Sequence, residues 1–117
     1  MALSEAPLEG DPSSYLAAAN VWFHRRELDR ILSLYGRMVA AGEWRDYAID
    51  GLKDRAVFSI YRRASEVPLY RIEKRPSLAR KQGAFCVVSA TGHILRRGRE
   101  LAQVLKVFDK KRLKVVD

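Results

Sequence analysis

The stretch AVFSIYRRASEVPLYRIEKRPSLARKQGAFCVVSATGHILRR, residues 56–97, decides the fold. Ala56–Arg63 and Leu69–Arg75 carry apolar residues at alternate positions and read as a hairpin across the loop Ala64-Ser65-Glu66-Val67-Pro68. Setting Arg63 opposite Leu69 places Ile60 opposite Ile72 and Phe58 opposite Lys74, with Tyr70 on the same side. The other face then shows Ser59, Tyr61, Arg63, Arg71, Glu73 and Arg75, and a one-residue slip would mix the two sets. Residues 76–83, PSLARKQG, make a basic loop. Ala84–Ala90 is mostly apolar and is expected near the middle of a sheet. Thr91-Gly92 is a two-residue turn signal, after which His93–Arg97 returns as a further strand.

On the N-terminal side, Leu28, Ile31, Leu32, Tyr35, Met38 and Val39 recur at helical spacing over residues 25–41, with Leu32 expected at the centre of the core-facing stripe. Arg26, Arg30, Ser33 and Arg37 lie on the opposite face. Glu27 stands where a capping box wants Glu, three residues after His24, a poor N-cap; Gly42 is a natural terminator. Val21-Trp22-Phe23 reads as a short leading strand or a staple against the helix. Glu43–Asp50 shows no clean period and is expected to pack Trp44 and Tyr47 back over the helix. On the C-terminal side a second helix is expected from Gly98 to about Leu113, with Leu101, Val104, Leu105 and Phe108 inward and Arg99, Gln103, Lys106 and Lys110 outward.

The order is therefore (β)-α-β-β-β-β-α. It implies an α+β fold in which an antiparallel four- to five-stranded sheet has one face covered by two helices and one face open. Residues 1–19, with Gly10, Pro7, Pro12 and paired Ser, read as a flexible tail, and residues 20–117 as a single α+β domain.

Charge is divided unevenly along the chain. Residues 1–52 carry five Arg and eight Asp or Glu, a net of −3, whereas residues 53–117 carry 17 Lys or Arg against six acids, a net of +11. Such a half either turns a solvated positive face to water or meets a polyanion or an acidic partner. Arg outnumbers Lys 15 to 7 but is spread over the whole chain, which fits codon bias better than a site. A hydrophobic content of 48% is that of a globular chain, and no 18-residue apolar run exists to span a membrane. The first 20 residues lack the basic and apolar regions of a secretory signal, and the lone Cys86 excludes an intrachain disulfide, so a cytoplasmic protein is expected.

Catalytic and metal chemistry find little to work with. Cys86 sits in an apolar strand and reads as a core residue rather than a reactive thiol. His24 and His93 are too few for a typical zinc site. Asp46, Asp50 and Asp54 recur every four residues, but adjacent Lys53 and Arg55 suggest local charge balance. Gly83, Gly92 and Gly98 fit no phosphate-loop spacing, and Ser59, Ser65, Ser77 and Ser89 sit in no nucleophile elbow. No catalytic residue, metal or cofactor is implied. The sharper candidate is a polyanion- or partner-binding surface of Tyr61, Arg63, Arg71 and Arg75, extended by Arg80 and Lys81, by Arg96, Arg97 and Arg99, and by Lys106 and Lys110 on the last helix.

The runs FHRRELDRILSLYGRMVAAGEWRDYAID (residues 23–50) and DRAVFSIYRRASEVPLYRIEKRPSLARKQGAFCVVSATGHILRRG (residues 54–98) carry a resemblance. Through the string EL-x-x-IL-x-x-YG-x-x-V-x-x-G-x-W-x-DY the chain resembles the alphaproteobacterial family called domain of unknown function 2794, over about residues 21–108. The resemblance implies a bacterial cytoplasmic protein and brings no activity, cofactor or catalytic residue. His24 occupies a position where that family often has Asp, which would cap the helix better. The α-β-β-β-α portion is also similar in order to double-stranded-RNA-binding domains, but their K-K-x-A-K is replaced by Arg96-Arg97-Gly98-Arg99 and their G-P-x-H loop is absent, so the likeness is one of order alone.

The expected function is a non-catalytic binding module in an accessory or regulatory role, its basic C-terminal half recruiting a protein or nucleic-acid partner and no membrane. The competing expectation is a small-ligand binder or enzyme with a pocket around Trp44, Asp46 and Tyr47.

Overall fold

A computed structural model describes residues 20–63 and 67–109. Helix α1 (Arg25–Ala40) precedes five strands, β1 (Asp46–Gly51), β2 (Ala56–Tyr61), β3 (Tyr70–Lys74), β4 (Phe85–Ser89) and β5 (Ile94–Gly98); a 3-10 turn at Pro76–Leu78 lies between β3 and β4, and helix α2 (Leu101–Leu105) follows β5. The strands pair in chain order, β1-β2-β3-β4-β5, and every pair is antiparallel. This is the α+β architecture that the alternation in residues 56–97 implies.

The fifth strand is β1, from a segment expected to be irregular. Its alternation is real: Tyr47 and Ile49 face the helices while Asp46, Ala48 and Asp50 face away. Val21–Phe23 forms no strand; instead the Val21 amide donates to the Leu52 carbonyl at 2.7 Å and Asn20 Nδ2 to the Gly51 carbonyl at 2.8 Å, tying the chain to the end of β1. The β2–β3 hairpin keeps the expected faces but in a different register. Ile60 lies opposite Tyr70, Phe58 opposite Ile72 and Ala56 opposite Lys74, two residues from the register read off the sequence. A shift of two leaves every side chain on its own face, so alternation alone could not choose between the two.

Helix α1 ends as its glycine requires. Gly42, at φ 77°, takes the left-handed conformation while the Glu43 amide donates to Met38 O and the Gly42 amide to Val39 O, both at 2.9 Å, a Schellman closure. The core-facing stripe is rotated from the expected one: Ile31, Leu34 and Met38 are buried, Leu32 is half-buried, and Val39 is exposed. Leu34 was missing from the sequence reading because the apolar residues of this helix are broad enough to fit two overlapping stripes. The second helix begins at Leu101, not Gly98, because β5 runs through Gly98. The part of its expected extension beyond Asp109, with Lys110, lies outside the described residues, as does the expected tail at 1–19.

Both helices pack on one face of the sheet. Ile31, Leu34 and Met38 of α1, and Leu101, Val104, Leu105 and Phe108 at α2, meet Phe58, Ile60, Ile72, Phe85 and Val87 in one core. Trp44 is buried there, with its ring edge-on to Phe108 at 4.9 Å, and Phe108 in turn meets Tyr70 at 5.1 Å.

A charged pair crosses from helix to sheet inside this layer. The Lys74 ammonium donates to Glu27 Oε1 at 2.9 Å and to the Trp22 carbonyl at 3.1 Å. The same Glu27 oxygen accepts the His24 amide at 2.7 Å, which completes the N-terminal turn of α1. Lys74 is 7% exposed and stands at a core-facing position of β3.

Ile31→Ala should destabilise the protein by about 2–5 kcal/mol in urea unfolding. Leu32→Ala, at the margin of the stripe, should cost clearly less; equal losses would return the stripe centre to Leu32. For the charged pair, Lys74→Ala should cost about 3 kcal/mol by leaving Glu27 without its counterion. A double-mutant cycle with Glu27→Ala should show coupling of at least about 0.5 kcal/mol. Additive losses would mean that the two side chains do not interact in solution.

Candidate partner-binding face

Register decides which side chains share the sheet face that carries no helix among the described residues. Residues directly opposite one another point to the same side. Asp50, Val57, Glu73, Cys86 and Arg97 therefore form one row across all five strands, and Ala48, Ser59, Arg71, Val88 and Ile94 form the next. Asp46 and Tyr61 begin a third row. Arg97 and Ile94, three residues apart, share this face because of a bulge: Val87 pairs with Arg96 and Val88 with Ile94, and Leu95 has no partner across the ladder.

Glu73 is the electrostatic centre of the face. It is 4% exposed and accepts from Arg71 Nε at 3.2 Å and from Arg75 Nε at 3.4 Å. Arg75 Nη1 also reaches Asp54 Oδ2 at 3.1 Å. Two guanidinium groups of the expected surface are thus already held by carboxylates of the fold. Arg97 Nη1 makes a long contact, 3.4 Å, with the Gly83 carbonyl. Cys86 is buried on this side of the sheet, opposite the helices, rather than between the layers. Burial pushes its thiol up from the ordinary range; Arg97 pulls it down and Glu73 adds to the rise. The outcome is a protonated thiol of low nucleophilicity.

The expected surface is only partly gathered here. Arg71, Arg75 and Arg97 share the face, with half-buried Tyr61 at its margin. Arg63 lies beyond the end of β2, and Arg80 and Lys81 are exposed after the 3-10 turn. Arg99 holds that turn, donating through Nε to Ala79 O at 3.2 Å and through Nη2 to Arg80 O at 2.8 Å. Arg96 pairs with Val87 and so belongs to the opposite side of the sheet from Arg97. Lys106 lies in the helix layer, and Lys110 is outside the described residues.

Trp44, Asp46 and Tyr47 do not line one pocket. Trp44 is a core residue, Tyr47 stacks on Phe58 at 4.9 Å in the helix layer, and Asp46 faces the other side of the sheet with Oδ1 accepting the Tyr47 amide at 2.9 Å. A hollow of about 440 Å³ touches Trp44, but its walls are Val39, Gly42, Glu43, Arg45, Arg62 and Arg63. His93 is bound into the β4–β5 turn, its Nδ1 2.9 Å from Thr91 Oγ1, which lies 3.0 Å from Ser89 Oγ. Among the described residues, no group of three or more His, Cys, Asp or Glu is placed to hold a metal ion, and no helix is long and apolar enough to cross a membrane.

Sequence reasoning missed the Lys74–Glu27 pair, although a signal existed: Lys74 falls on the Phe58, Ile60 and Ile72 face of the alternation, where a charge needs a partner. It also placed Arg26, Arg30 and Arg37 only on the face opposite the apolar stripe; they line a groove with Lys106.

The chain belongs to the family described as "Protein of unknown function (DUF2794)", whose model matches residues 21–105. No curated protein and no solved structure matches it.

At neutral pH, iodoacetamide should alkylate Cys86 in the folded protein at least about tenfold more slowly than in the urea-unfolded chain. Because the thiol is raised, the rate should keep climbing with pH beyond the range where an ordinary cysteine levels off. Labelling as fast in the folded state as in the unfolded one would make Cys86 a reactive group.

Proposed function

We propose that this member of the family is a small bacterial, cytoplasmic, non-catalytic binding module whose basic C-terminal half recruits a protein or nucleic-acid partner in an accessory or regulatory role. The observation that carries the reading is the sheet face without a helix among the described residues, on which Arg71, Arg75 and Arg97 stand in neighbouring rows with Tyr61 at the margin. Guanidinium groups about a third exposed, as those of Arg71 and Arg75 are, suit recognition of carboxylates or phosphates. The side chains with nucleophilic or acid–base chemistry are employed in the fold instead: a protonated Cys86, a turn-bound His93 and an ion-paired Glu73.

Between the two partner classes, the charge on this face favours a protein. Asp46 and Asp50 are exposed on the same side as the arginines, and Glu73 lies between Arg71 and Arg75. A uniform polyanion meets repulsion along β1, whereas a protein surface can present both signs. Tyr61 alone offers less stacking than single-stranded nucleic acids usually find on a sheet.

A tagged pulldown from the native host, with and without nuclease, tests the reading when run beside Arg97→Glu and Tyr61→Ala. A partner retained after nuclease and lost in Arg97→Glu is the expected result. Fluorescence anisotropy with single-stranded and duplex oligonucleotides across a salt series tests the other class. There, each lost phosphate contact should lower the salt slope by about 0.7–0.9. Partners held equally by wild type and both variants would remove the function from this face.

A further inference from the structure

The second cationic surface lies on the other side of the molecule, between the helices. A groove of about 580 Å³ runs between α1 and α2, with Arg26, Asp29, Arg30, Arg37, Lys106 and Asp109 around it. Leu34 and Leu105, 4% and 7% exposed, close its base, and half-buried Ala102 and the side-chain stems of the arginines supply its apolar surface. From Arg26 to Arg37 the wall extends about 16 Å, three turns of helix at 1.5 Å per residue. A smaller hollow of about 220 Å³ shares Arg26, Arg30 and Ala102 with it and continues the groove toward Arg99 at the start of α2.

What distinguishes this groove from the sheet face is the state of its charges. Among the described residues, Arg26, Arg30, Arg37 and Lys106 make no side-chain hydrogen bond or ion pair, nor do Asp29 and Asp109. Arg71 and Arg75, by contrast, are held by Glu73 and Asp54. Four unpaired cations against two carboxylates leave a positive excess with acidic points in fixed places. The apolar floor with a charged rim is the arrangement on which amphipathic helices dock.

We propose that the groove between α1 and α2 is a docking site for an acidic amphipathic helical segment of a partner protein. Its carboxylates meet Arg26, Arg30, Arg37 and Lys106, and its apolar face lies over Ala102 and the arginine stems above Leu34 and Leu105. Charge complementarity selects this occupant over a nucleic acid. Asp29 is set between Arg26 and Arg30 on the same wall, so a continuous phosphate chain would have to pass a carboxylate that a peptide can avoid or match with a lysine. The site is independent of the sheet face and stands whether or not that face binds anything.

The test uses fluorescence anisotropy with a labelled synthetic helical peptide of about 12 residues, three turns, with Glu on one side and Leu on the other. A single-stranded RNA oligonucleotide of matched net charge runs in parallel. The peptide should bind the wild-type chain at low salt and weaken as ionic strength approaches about 0.5 M. Arg30→Glu/Arg37→Glu should weaken it about ten- to thirtyfold. Arg97→Glu on the sheet face should change it less than about twofold, and thermal midpoints should confirm that each variant is folded. No peptide binding at low salt overturns the proposal, as does binding indifferent to the Arg30/Arg37 reversal or abolished by Arg97→Glu. RNA binding that is tighter than peptide binding and lost on the Arg30/Arg37 reversal overturns it in favour of a nucleic-acid groove.

Discussion

The Lys74 ammonium sits where three parts of the chain converge: the Trp22 carbonyl in the approach to α1, Glu27 in its first turn, and β3 in the middle of the sheet. Taking a lysine and a glutamate out of water is costly, and such a pair repays that cost only with good geometry and further hydrogen bonds. Both conditions hold here, because the carboxylate also accepts the His24 amide and lies at the positive end of the helix. The net gain in stability from such a pair is small; the constraint it imposes is not. With Lys74 fixed on the sheet and Glu27 in the first turn of α1, the helix can start in only one place and lie over only one face. Trp22 reinforces this by covering Gly51, where any Cβ would run into the indole.

The distribution of charged side chains over the surface follows from that one-sided layering. With α1 and α2 on the same side, the opposite face of the sheet carries no helix among the described residues, and the rows of the register sort its side chains. Folding then redistributes the charge asymmetry of the sequence. Asp54 and Glu73 hold Arg75 and Arg71 within the basic half, and Glu27 of the acidic half takes up Lys74, so the fold ties down several cations of residues 53–117. The unpaired arginines of the helical groove come instead from the half of the chain whose net charge is negative. Net charge per segment therefore reports the inventory of cations and not their availability.

Much of the architecture was legible. Alternation in β2 and β3 assigned Phe58, Ile60, Ile72 and Lys74 to one face and Ser59, Arg71 and Glu73 to the other, and Gly42 marked the end of α1. The missed features share a cause. Tyr47 and Ile49 alternate with Asp46, Ala48 and Asp50, but the carboxylates at every fourth position drew attention to a helical spacing and hid the strand. The β2–β3 register depends on which cross-strand pairs pack best, a property that a period of two does not encode. Of the candidate site, Arg71 and Arg75 could be placed together from alternation, whereas separating Arg97 from Arg96 required the pairing of β4 with β5. The meeting of Lys106 with Arg26, Arg30 and Arg37 could not be read that way, because it requires knowing how two helices distant in sequence lie side by side.

The two cationic surfaces differ in what a ligand must displace. An acidic group approaching Arg71 or Arg75 competes with Glu73 and Asp54, so part of its attraction is spent separating pairs the fold has already made. An acidic group approaching Arg30, Arg37 or Lys106 displaces only water. For equal charge on the ligand the groove gains more per contact, whereas the sheet face holds its guanidinium groups in fixed directions and discriminates better by shape. The helix layer is thus the surface suited to rapid, salt-sensitive capture, and the sheet face the one suited to selective contact. Because the sheet and its core separate them, a ligand on one surface would leave the other uncovered.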